Sequence, residues 1–141
     1  MSSRLSVFLS RSYSRDGAIL LLRLWLGAML IYHGQGKIFG NMERFIHGVS
    51  NMGFPAPEVY GWAAALTEFV GGILIASGFF TRPAASFAIC TMFVAGFIRH
   101  SADPFGRKEL AFTYLVMAAV VLIAGPGKFS IDRKMFGKME R

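Results

Sequence analysis

The run ALTEFVGGILIASGFF, residues 65–80, is apolar enough to cross a bilayer and holds a single charge, Glu68. Extended back to Tyr60 it makes a helix of about 20 residues, which at about 1.5 Å per residue spans a hydrocarbon layer of roughly 30 Å. A carboxylate at that depth costs about 2.5 to 3.5 kcal/mol on insertion scales, so it is expected to face other helices and to find a partner there. One stretch thus predicts both a span and an interior polar site.

Three more apolar blocks lie around it. Residues 17–36, GAILLLRLWLGAMLIYHGQG, carry Arg23 as their one full charge. Residues 84–98 and 110–124 are shorter, with Arg99, Lys108 and Lys128 at their ends as snorkelling anchors. Hydrophobic residues make up 54% of the chain and mean hydropathy is +0.48, too apolar for an ordinary soluble domain. A soluble bundle of such helices would also need a polar outer face, and these blocks are apolar on all sides. The expected fold is all-α, an integral membrane four-helix bundle. Its one domain covers residues 17–132, between basic segments at 1–16 and 133–141. The opening RLSVFLSRSYSR, residues 4–15, superficially resembles a signal peptide, but Arg23 breaks the apolar region and no A-x-A-like cleavage site follows.

Between the spans, Thr81-Arg82-Pro83 reads as the turn that ends the second block. In the connection over residues 42–62, Phe45, Ile46 and Val49 predict a short interfacial helix closed by Gly53 and Pro55, lying across one mouth of the bundle. After the fourth block, Gly125-Pro126-Gly127 stops the helix and places Phe129 and Ile131 at the interface.

The net charge of +7 does not indicate nucleic acid, because the basic residues flank the apolar blocks and form no stripe with stacking aromatics. Nine lie on the side of both termini: Arg4, Arg11, Arg15, Arg82, Lys128, Arg133, Lys134, Lys138 and Arg141. Five lie on the other: Lys37, Arg44, Arg99, Arg107 and Lys108. The positive-inside rule then places both termini in the cytoplasm.

At about 100° per residue, Arg23, Gly27, Leu30, Gly34 and Lys37 share one face of the first helix. Gly61, Ala64, Glu68, Gly72 and Ile75 share one face of the second, where small residues admit a close neighbour. By charge, Arg23 is the first expected partner of Glu68, directly or through water, with His33 as the alternative and Lys37 as a further competitor. Depth opposes the Arg23 pairing: Glu68 lies roughly 12 Å from one end of the bundle while Arg23 sits in the other half, and each leans away from the other. Arg99, His100 and Glu109 join His33 and Lys37 in a predicted polar cluster. No metal site is expected, since the spacing matches no ligand motif and Arg99 and Lys37 oppose a cation. Tyr32, Trp62, Phe69 and Phe112 are the aromatics available to line a pocket for a flat ring. Cys90, the single cysteine, reads as a small buried packing residue and admits no intramolecular disulfide.

Taken in order, Arg23, HGQGK at 33–37, TEFVGGILIASGFFTR at 67–82 and GPGKFSID at 125–132 resemble the DoxX family of small four-helix membrane proteins. The resemblance implies a bundle in the bacterial cytoplasmic (inner) membrane with a core arginine and glutamate like Arg23 and Glu68. It also implies a redox setting: the family is named from a subunit of an archaeal terminal oxidase and thiosulfate:quinone oxidoreductase system. Other members are linked to oxidative or thiol stress and to resistance to quinones and catechols, often beside soluble redox partners.

The chain has no CxxC, no CxxCH and no GxGxxG at a strand–helix junction, so it is no autonomous oxidoreductase by motif. The expected function is a membrane subunit that works with a quinone or a redox protein partner, with homo-oligomerisation open. Its polar site comprises Arg23, His33, Lys37, Glu68, Arg99, His100 and Glu109, with Glu68, His33 and His100 as candidate catalytic residues. In that scheme Glu68 accepts protons or holds a cationic partner, while His33 and Lys37 hydrogen-bond a quinone oxygen. The alternatives are a non-enzymatic accessory or assembly subunit, and a small proton or solute transporter.

Overall fold

The computed structural model describes residues 14–137. Arg4, Arg11, Lys138, Arg141, residues 1–13 of the first basic segment, residues 138–141 of the second and all but the last two residues of the signal-like stretch lie outside the described residues. The described residues form six α-helices: α1 (Arg15–Gln35), α2 (Met42–Ser50), α3 (Pro57–Ser77), α4 (Thr81–Phe93), α5 (Phe105–Ala124) and α6 (Ile131–Phe136). Two π-helical turns, Gly36–Gly40 and Val94–Arg99, prolong α1 and α4. The long helices α1, α3, α4 and α5 make an antiparallel bundle in which α1 packs along α3 and α4 along α5.

Length and composition suit three helices to crossing a membrane: Arg15–Gly40, Pro57–Ser77 and Thr81–Arg99. The fourth, α5, is as long, but Arg107, Lys108 and Glu109 occupy its first turns and leave the apolar stretch from Leu110 to Ala124. Outward faces carry Leu21 and Trp25 on α1, Ile73 on α3, Phe87 on α4, and Val116 and Ile123 on α5, the last 80% exposed. A water-facing surface would carry charges at these positions, so this one is built for lipid.

Lipid tails are as apolar as leucine, so the helices are held by close packing more than by exclusion of water. A Cβ added to Gly27 would lie 2.6 Å from the Gly72 carbonyl oxygen, and one added to Gly72 would lie 2.8 Å from that of Gly27. These glycines let the α1 and α3 backbones touch. Gly72→Ala is expected to push the two helices apart at a cost of about 1 to 3 kcal/mol. Thermal unfolding in mild detergent measures it, with Gly106→Ala, which meets nothing within 4 Å, as the neutral control.

The second span ends earlier than Thr81-Arg82-Pro83 suggested. Gly78 takes φ 72°, and α3 closes with Gly78 N–H donating to Ile75 O and Phe79 N–H to Leu74 O. A glycine accepts that left-handed geometry without a side-chain clash, so the chain turns at Gly78 and Thr81 already opens α4. Pro83 then fits the first turn of α4, where no intrahelical donor is needed. The third block also differs from the predicted 84–98, since α4 stops at Phe93 and its π-helical turn carries the chain to Arg99, while α5 starts at Phe105, ahead of the predicted 110, because charged residues continue that helix beyond the apolar stretch.

Candidate functional site

Two polar centres lie at opposite ends of the bundle, and the structure divides the predicted polar residues between them. At the end that carries both described chain ends, Arg23 is 1% exposed. Its Nη2 donates to Phe129 O at 2.8 Å and its Nη1 to Pro126 O. Arg23 does not pair with Glu68. Its side chain leans toward the start of α1, away from Glu68, and there the left-handed glycines Gly125 (φ 78°) and Gly127 (φ 73°) fold the last loop under the bundle.

The same loop completes α4. That helix has no local side-chain cap, and Phe80, just before it, is held at φ 46°, strained for a residue with a Cβ. The Asp132 carboxylate accepts from Phe80 N–H at 2.8 Å and Thr81 N–H at 2.9 Å, capping α4 from about 50 residues away. Asp132 N–H in turn donates to Gly78 O at 2.8 Å. Arg23, the Gly78 turn and residues 125–132 therefore form one knot, and three of the motifs quoted from the sequence meet in it.

At the far end, a cavity of about 520 Å³ opens between α2, α3 and α4. Phe45, Val49 and Met52 roof it from α2 and the loop that follows. Phe54 and Tyr60, with rings 5.0 Å apart, form one wall, and Phe87 and Cys90 of α4 with Val94 of the π-helical turn after it form the other. Ala63 and Ala64 leave the space open on α3. The predicted interfacial helix is the roof: Asn41 caps it by accepting from Arg44 N–H at 2.8 Å, and its Ile46 rests on Gly61.

The polar strip of the cavity consists of Lys37, Glu68, Arg99 and His100, with Thr67 and Thr91 beside it. Lys37 pairs with Glu68, whose side chain is 6% exposed, and its Nζ also sits 5.0 Å over the Phe45 ring. Both cationic side chains of the strip come from π-helical turns, Lys37 from the end of α1 and Arg99 from the end of α4. An extra residue in the last turn changes the direction in which side chains leave a helix, a local distortion often found at functional sites. A constant 100° step does not register it.

His100 Nδ1 meets Asp103 Oδ2 at 2.6 Å, and Arg107 Nη1 stands 3.8 Å from Asp103 Oδ1. The hydrogen bond from His100 holds the Asp103 carboxyl below its ordinary pKa, Arg107 and Arg99 adding attraction that partial burial opposes. Because the folded value is depressed, the stability this contact contributes is complete above the unfolded value of about 3.9 and is lost as pH falls through the folded one. Asp103→Asn should remove that acid-side dependence and free the His100 ring. Two-dimensional NMR of the imidazole in detergent checks it, and a ring equally immobile in the variant would contradict the contact.

The remaining predicted members stand apart. His33 packs between Tyr32 and Tyr114, with ring centroids 5.6 and 5.8 Å away, and does not line the cavity. Glu109 is exposed on the first turns of α5. Tyr32, Trp62, Phe69 and Phe112 are absent from the cavity wall, and Phe45, Phe54, Tyr60 and Phe87 take that role. Cys90 is exposed beside the cavity instead of buried. Asp103 escaped the sequence reading although its three-residue spacing from His100 was visible; Asp132 escaped because its partner is remote in the chain.

The DoxX family pattern matches residues 18–101, more than half of the chain. The chain belongs to the DoxX family. Among its relatives, inner membrane protein YqjF of Escherichia coli is 32% identical over 124 residues, covering 84% of this chain and 92% of that protein. Inner membrane protein YphA of the same organism is 28% identical over 130 residues, covering 86% and 92%. An uncharacterized protein of Haemophilus influenzae is 31% identical over 127 residues, covering 85% and 92%. No solved structure matches. This DoxX chain is a multi-pass protein of the inner membrane. The family match covers α1 to α4 and therefore the whole strip from Lys37 to His100, while Asp103, α5 and the loop that receives Arg23 lie beyond it.

Proposed function

We propose that this DoxX protein is the membrane subunit of a quinone-linked redox or detoxification system, with its termini in the cytoplasm and a protein partner that exchanges electrons with the bound ring. One observation carries this reading: the far-end cavity is walled by aromatic and aliphatic side chains and is polar along a single strip, the pattern of sites for flat amphipathic ligands. A quinone headgroup fits that wall chemistry, with Phe45, Phe54 and Tyr60 beside the ring and donors at its oxygens.

A bound quinone would supply two-electron redox chemistry that no residue of this chain provides. The protein's own groups would bind and orient it. The Lys37 ammonium uses one donor on Glu68 and keeps others for a ring oxygen, and Arg99 offers a second donor group. Glu68, within the span, can hold a proton beside that oxygen. Asp103 orients His100 at the mouth. His33, outside the cavity, has no part in this arrangement.

Purification in mild detergent followed by mass spectrometry should find a lipophilic quinone, a co-purified redox protein, or both, with quinone lost when Ala64→Phe fills the cavity. Pure protein carrying neither, together with normal quinone tolerance in a deletion strain, would exclude this function and favour an assembly subunit.

A further inference from the structure

The end of the bundle opposite the cavity has a second opening, independent of the quinone reading. A groove of about 610 Å³ runs between the start of α1, the start of α4 and the loop before α6. Four cations line it, Arg15, Arg82, Lys128 and Arg133, against two carboxylates, Asp16 and Asp132. Both carboxylates are already engaged. Asp132 caps α4 through both oxygens, and Asp16 accepts from Lys128 N–H at 3.0 Å and faces Lys128 Nζ at 3.6 Å. The guanidinium groups of Arg15 and Arg82 meet no carboxylate among the described residues, and Arg82 lies over Gly125 at the groove floor.

The groove is also greasy on one side. Ile19, Pro83, Ala124, Phe80 and Phe136 line it, and the last two are 50% and 43% exposed with rings in edge contact at 6.5 Å. Ala124 of that wall directly follows Ile123, which is 80% exposed on the outward face of α5. A soluble anion needs the cations and gains nothing from the apolar wall, whereas an amphiphile uses both. We propose that this groove binds the headgroup of an anionic phospholipid, its phosphate between Arg15 and Arg82 and its first acyl carbons against Phe80 and Phe136. Such juxtamembrane basic clusters attract anionic headgroups by charge, and guanidinium groups add two-pronged bonding to phosphate oxygens.

The test is native mass spectrometry of the full chain in neutral detergent, titrated separately with phosphatidylglycerol, phosphatidylcholine and inorganic phosphate. Phosphatidylglycerol should be retained about tenfold more strongly than phosphatidylcholine, with Arg82→Gln weakening it about fivefold and Arg15→Gln with Arg82→Gln about thirtyfold. Arg107→Gln, at the opposite end, should leave it unchanged. Both target arginines are exposed, so folding survives, and either single variant reads the site alone. Equal retention of the two lipids, an Arg107→Gln loss as large as that of Arg82→Gln, or Arg82-dependent binding of phosphate without phosphatidylglycerol would each overturn the assignment.

Discussion

Replacing Arg23 with methionine is expected to unfold the end of the bundle where the loop over residues 125–132 folds back and to strip most of the protein from the membrane. The guanidinium is buried and bonds the carbonyls of Pro126 and Phe129. Hydrogen bonds to a charged group contribute about 1.5 to 3 kcal/mol each, and methionine would leave both carbonyls without a donor, for a loss of about 3 to 6 kcal/mol. The loss spreads, because the loop that Arg23 holds also brings Asp132 to the start of α4 and keeps Phe80 in its strained conformation. Arg23→Lys should fall between, since one ammonium cannot reproduce the planar fork that reaches two carbonyls. Membrane abundance and the melting temperature of detergent-extracted protein decide the matter: a methionine variant that elutes and melts like the parent would show that the knot is not what holds this end together.

Separating Lys37 from Glu68 should cost nearly as much at the other end, and unequally for the two partners. Breaking a buried pair from one side costs about 3 to 5 kcal/mol, because the remaining charge stays out of water without its counterion. Lys37→Met strands the Glu68 carboxylate, 6% exposed, inside the span, whereas Glu68→Leu leaves the Lys37 ammonium, 24% exposed, able to reach the mouth past Phe45. Lys37→Met is therefore the more damaging single change. The double variant should be more stable than Lys37→Met alone, since two apolar side chains strand no charge. A double-mutant cycle in detergent measures the coupling, and additive losses would mean that the pair contributes nothing as a pair. The double variant also separates scaffold from chemistry: with the fold retained, a loss of the proposed quinone binding would belong to the polar strip.

The spans were legible because crossing a bilayer is a local property. A run of about 20 mostly apolar residues states it wherever the neighbours lie, as residues 60–80 do, and the outward-facing Leu21, Phe87 and Ile123 agree. The glycine faces of α1 and α3 were equally readable, since Gly27 and Gly72 follow the helical period. The site was legible only as an inventory. Lys37, Glu68, Arg99 and His100 were all named from their charge, but so were Arg23, His33 and Glu109, which the fold sends elsewhere.

By itself, then, the sequence determined that the chain enters the membrane as apolar helices, which residues could not be left facing lipid, and which helix faces approach closely. Pairing was decided by the tertiary structure alone. It depends on the depth of each charge, on the lean of its side chain toward its own helix start, and on where a turn closes or a π-helical turn adds a residue. These put Lys37, not Arg23, beside Glu68, and they free Arg23 to gather a loop about 100 residues further along the chain. A charge in a span must have a partner, and that follows from the cost of desolvation; which partner it has follows from axial register, which no single helix contains.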